Sequence, residues 1–138
     1  MTRRRFLVVA AAVPGLFGLV MMLVPTVMLE NSLTEVPQDA TVAVTRWVGF
    51  AVFSVALITY LSRNDAFSPA LRAVMIGNVV FHLLGTVMDT SGYLAGTMTI
   101  SGLVTGLVPH TLLAAGFLHF LRSAADGTPQ AGMAPTSR

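Results

Sequence analysis

The chain has 138 residues, 54% hydrophobic and 10% charged, where a soluble domain carries roughly 25% charged residues. A globule that apolar lacks the polar surface to stay dissolved, so its solvent is lipid. There is no cysteine, which excludes disulfides, thiolate ligands and a Cys nucleophile. All eight basic residues are arginine, which excludes Schiff-base chemistry at a lysine. The net charge of +2 reflects arginines at one membrane face and says nothing about nucleic acid.

Four apolar runs fill the chain, each long enough to cross a ~30 Å hydrocarbon core as a helix. The first is Phe6–Leu29. Its leader, Thr2-Arg3-Arg4-Arg5-Phe6-Leu7, resembles a twin-arginine export signal. The apolar run continues through Met21-Met22-Leu23-Val24 with no A-x-A site to close it, so an uncleaved first span is expected. Pro14 predicts a kink, and Ala11, Gly15 and Gly18 offer a face of small residues. An acidic loop with Glu30, Glu35 and Asp39 follows.

The second span is Thr41–Leu61. Arg46 lies one to two turns below its outer end, where a lone guanidinium must snorkel or find an anion. A structural ion pair with Asp89 and Glu30 is expected, with ligand anchoring by Arg46 as the alternative. The third span, Pro69–Asp89, carries Asn78, His82, Thr86 and Asp89 at three- to four-residue steps, on one helical face with Gly85. In this reading Asp89 closes the span at its outer edge. The fourth, Thr97–Leu121, carries Gly102-x-x-x-Gly106 and then Pro109-His110 at mid-span. Pro109 predicts a kink and frees the Thr105 carbonyl. His119 sits near the inner end. The Gly, Pro, Ala, Ser and Thr of residues 123–138 predict a disordered cytoplasmic tail.

Seven of the eight arginines, all but Arg46, fall on one side of this layout. The fold class is therefore all-α, a polytopic four-transmembrane-helix bundle over residues 1–122 with both termini in the cytoplasm. The first and third spans overlay at a constant offset, with Arg5, Val13, Leu16, Gly18, Val20 and Met21 on Arg72, Val80, Leu83, Gly85, Val87 and Met88. The overlay suggests duplicated hairpins, although apolar helices also align by chance.

Polar residues at membrane depth are costly and usually face the bundle interior. Along the helix axes, His82 and His110 fall at similar depth. Three roles are open to Asn78, His82, Thr86, Asp89 and His110. The plainest is interhelical hydrogen bonding, worth about 1 kcal/mol per pair. The second makes His82 and His110 axial ligands of a b-type haem, or of a metal, in an electron-transfer protein. The third makes the stripe, with Arg46, the polar wall of a pocket for a small molecule or lipid, open to the outer leaflet. No carboxylate is expected near the bilayer centre, which argues against a proton-coupled exporter.

Thr45-Arg46-Trp47-Val48-Gly49-Phe50, after a first span ending Leu23-Val24-Pro25, and His82-Leu83-Leu84-Gly85 resemble small bacterial four-helix membrane proteins of the DoxX-like kind. The resemblance implies a fold and an inner-membrane location, and it carries over no catalytic residue. The expected function is that of a non-catalytic accessory or small-ligand-binding protein in contact with the bilayer. Homo-oligomerisation or membership of a larger membrane complex is the remaining alternative. No cofactor is expected unless the haem reading holds.

Overall fold

The computed structural model describes residues 1–126, and they are all-helical. The elements are α1 (Arg3–Leu23), α2 (Pro25–Ser32), α3 (Asp39–Leu61), α4 (Pro69–Leu94) and α5 (Ile100–Asp126), with one 3-10 turn at Ser62–Asn64. Four of them, α1, α3, α4 and α5, are long and apolar enough to cross a membrane. They alternate in direction. One end of the bundle carries the N-terminus, the α3–α4 connection and the last turns of α5. The other, here the loop end, carries α2 and the α4–α5 turn.

The first span is shorter than expected. It stops at Leu23, because Val24 precedes a proline and adopts φ −135°, ψ 52°, away from the helical region that Pro25 crowds. Pro25 then opens α2 as a fresh N-terminus, where its missing N–H is no loss. Pro14 and Pro109, by contrast, stay inside α1 and α5.

The third span is longer than expected and runs to Leu94. Thr90 and Ser91 bond their hydroxyls to Thr86 O (2.8 Å) and Met88 O (2.9 Å) of the same helix, so polarity does not end it. Gly96 does, at φ 74°, the left-handed position that favours glycine. Thr99 caps α5 by accepting Gly102 N–H at 3.0 Å. At its far end α5 continues to Asp126, beyond the expected Leu121. Of the expected disordered tail, residues 123–126 belong to this helix, and 127–138 lie outside the described residues.

Backbones approach most closely within two antiparallel pairs, α1 with α3 and α4 with α5. Gly15 and Gly18 of α1 meet Ala56, Gly49 and Phe53 of α3. The pairs join through an apolar core near the N-terminal end, built from Phe6, Leu7 and Ala10 of α1, Leu71, Met75 and Val79 of α4, and Leu113 and Phe117 of α5. Phe6 stands edge-on to Phe117, with ring centroids 4.9 Å apart, in a space that Gly116 leaves open. The loop end is tied by backbone bonds, Thr34 N to Thr97 O (3.2 Å) and Thr99 N to Ser32 O (2.9 Å). Large apolar residues such as Trp47 (75%), Leu94 (78%) and Leu112 (67%) are exposed on the outside, as expected where lipid replaces water.

Candidate functional site

The stripe on α4 turns inward as expected, and the neighbouring helices consume it. Asn78, 3% exposed, donates from Nδ2 to Thr59 Oγ1 of α3 at 3.0 Å and to Val74 O at 2.9 Å. Thr59 is fully buried and also donates to Val55 O at 2.9 Å. This α3–α4 clasp was not legible as a pair. Thr45, Ser54 and Thr59 each bond a carbonyl one turn back in α3, so none of them signals a need for a partner. Only the depth of Thr59 beside Asn78 could have singled it out.

One turn further along α4, His82 is 1% exposed. Its Nδ1 lies 2.9 Å from His110 Nδ1 of α5, so the matched depth of the two imidazoles becomes direct contact. Phe117 stacks on the His82 ring at 6.1 Å and 21°, and Phe81 meets both imidazoles edge-on. Gly85 makes the approach possible, since a methyl group there would lie 2.6 Å from His110 Cε1 and Nε2. Thr86 bonds only its own helix, through His82 O at 3.1 Å.

Asp89 lies five residues before the end of α4, about 7.5 Å inside it along the axis, so it is not at the edge of the span. Its side chain is 17% exposed, seated against Gly106, where an added Cβ would overlap the carboxylate. Oδ2 is 3.9 Å from His110 Nε2. That atom and His82 Nε2 are buried without a hydrogen-bond partner. Asp89, His110 and His82 therefore form one line of polar atoms that ends in the unpartnered His82 Nε2. His119 stands apart, edge-on to Phe120.

The expected ion pair of Arg46 with Asp89 and Glu30 does not form. Arg46 and Glu30 are both exposed, and among the described residues no carboxylate lies within 4.0 Å of Arg46. Asp89 faces α5, while Arg46 projects from the outside of α3. Arg46 therefore does not belong to the stripe.

As placed, the two imidazoles are closer together than trans ligands of a haem iron. Two imidazoles trans on one ion stand about 4 Å apart, nitrogen to nitrogen, twice a metal–imidazole bond of about 2 Å. Here they touch at 2.9 Å, packed between aromatic rings and the backbone of Gly85. The contact is a hydrogen bond, with one proton between two nitrogens.

A separate feature is a groove of about 320 Å³ between α1, α2 and α5. Leu16, Phe17 and Val20 form one wall, Val27 and Met28 another, and Asn31, Ser32, Ser101 and Thr105 supply its polar groups. The α4 stripe does not line it, so any pocket wall has moved from α4 to α2 and α5. Comparison with known proteins adds no assignment, since no protein-family model, curated sequence or solved structure matches the chain.

Proposed function

We propose that this is a non-catalytic membrane protein that holds a lipid-like amphiphile in the groove between α1, α2 and α5. In this reading it sits in a bacterial inner membrane with the N-terminal end of the bundle in the cytoplasm. Six arginines support the orientation, because Arg3, Arg4, Arg5, Arg63, Arg72 and Arg122 all lie at that end while Glu30, Glu35 and Asp39 lie at the other. The groove then opens in the outer leaflet.

The observation that carries the reading is the order of chemistry along the groove. Its walls are apolar side chains of the spans, and Asn31, Ser32 and Ser101 gather at the loop end, where a headgroup would sit. Asn31 Nδ2 is spent on Val27 O at 2.7 Å, which leaves Oδ1 as an acceptor. Deeper in, Thr105 O has no helical donor, because Pro109 lacks an N–H. An amphiphile with its head outward and its chain inward matches that order.

The test is native mass spectrometry of the protein released from nanodiscs of phosphatidylethanolamine and phosphatidylglycerol. The wild type should retain one lipid per chain, and Ser101→Phe, which fills the polar end, should reduce retention at least tenfold. Retention that is absent in the wild type, or equal in both proteins, refutes the reading.

A further inference from the structure

The line of atoms from Asp89 to His82 has a property that neither packing nor the groove uses. His82 Nδ1 and His110 Nδ1 are 2.9 Å apart, which requires one proton between two lone pairs. A neutral imidazole has a single N–H. Whichever ring donates in the contact therefore has a bare Nε2, and the ring that accepts carries its proton on Nε2. While both rings are neutral, their far nitrogens are thus in opposite states.

Asp89 decides between the two arrangements. When its carboxylate is ionised it can only accept. Its charge, 3.9 Å from His110 Nε2, then favours a proton on that nitrogen, and His82 donates from Nδ1 with a bare, buried Nε2. When one more proton is bound, it is carried on His82 Nε2, the proton between the two Nδ1 atoms passes from His82 to His110, and the former His110 Nε2 proton stays between that nitrogen and Asp89 Oδ2. His110 then donates from Nδ1, and His82 holds its proton on Nε2. The count is two protons on the three groups before and three after: one N–H bond forms at His82 Nε2, and the Nδ1–H bond is broken on His82 and made on His110.

We propose that Asp89, His110 and His82 form a proton-binding site inside the bundle, and that uptake of one proton reverses the tautomer of His82 and shifts a proton along the line toward Asp89. The surroundings favour such coupling. Among the described residues Asp89 is the only carboxylate within 4.0 Å of either imidazole. The groups packed around the pair are Phe81 of α4 and Phe117 of α5, neither of them titratable. α1 brings Phe6, Leu7 and Ala10 to the adjoining core, and α3 brings the neutral Thr59 to Asn78. Arg46 and Glu30, the nearest charged side chains of α3 and α2 in sequence to this level, are exposed. His82 Nε2, at one end of the line, and Asp89 Oδ2, 3.9 Å from His110 Nε2, are buried and have no hydrogen-bond partner, so neither ring is pinned by a bond outside the line.

Nitrogen-15 spectra of the histidine-labelled, full-length protein in nanodiscs test this across pH, with His119→Gln identifying the third ring. At the alkaline end His82 should show Nδ1–H and His110 Nε2–H, with scalar coupling across the Nδ1–Nδ1 contact. On acidification both should change in a single step, His82 to Nε2–H. Asp89→Asn, which removes the carboxylate and keeps its shape, should displace that step by at least one pH unit. His82 holding Nε2–H at every pH, separate steps for the two rings, or an unmoved step in Asp89→Asn would overturn the proposal. If Asp89→Asn does not fold, the coupling and the single step in the wild type decide.

Discussion

Between α1 and α3, glycine brings backbone to backbone. A methyl group on Gly18 would lie 2.8 Å from Phe53 N and 3.0 Å from Gly49 O, and neither atom can move without moving its helix. Between α4 and α5, glycine instead makes a socket. Gly85 houses the His110 ring and Gly106 the Asp89 carboxylate, both ends of side chains that can swing away. Lipid tails are as apolar as leucine, so burial alone does not choose partners among spans. The first pair gains its specificity from close van der Waals contact, and the second from polar groups that must be sheltered. The contrast also bears on the duplicated-hairpin overlay, in which Gly18 and Gly85 coincide. Both do lie at the inner face of their pair, but they meet backbone in one case and an imidazole in the other.

The sharpest way to break the comparison is Gly18→Leu. It forces α1 from α3 and should cost about 3 kcal/mol, read by thermal or denaturant unfolding in detergent, and Phe53→Ala should not rescue it because the obstacle is main chain. Gly85→Ala is the matched experiment in the other pair. It should cost about 1–2 kcal/mol by displacing His110, and His110→Ala should restore most of that loss in a double-mutant cycle. If Gly85→Ala is not rescued, the socket is as rigid as the backbone contact and the distinction fails.

Asn78→Ala should cost about 1 kcal/mol, because Thr59 keeps its bond to Val55 O and is not left without a partner. Arg46→Ala should change stability by less than about 0.5 kcal/mol, as for a surface substitution away from any network. A large drop in melting temperature there would mean that Arg46 finds an anion the fold does not show, and would restore the ion-pair expectation.

Much of the architecture was legible. The spans, their order and their arginine asymmetry follow from hydropathy and charge, and the inward stripe on α4 follows from its spacing. The limits of the spans were less so. Pro25 was masked by apolar neighbours on both sides, and Thr90-Ser91 after Asp89 looked like a loop although their hydroxyls bond within the helix. The site was half legible. The equal depth of His82 and His110 could be counted along the axes, but Thr59 and the glycine sockets could not, because each serves a partner on another helix.

The sequence by itself determined that this chain forms helices long and apolar enough to cross a membrane, where a backbone must satisfy its own hydrogen bonds. It also determined that the α4 stripe turns inward, because a polar group at that depth must find shelter. Only the tertiary structure decided which helices pair and that Asp89 faces His110 and not Arg46. Those choices rest on fits of a few tenths of an ångström around Gly18, Gly85 and Gly106, and spacing along one helix does not encode the shape of the helix it meets.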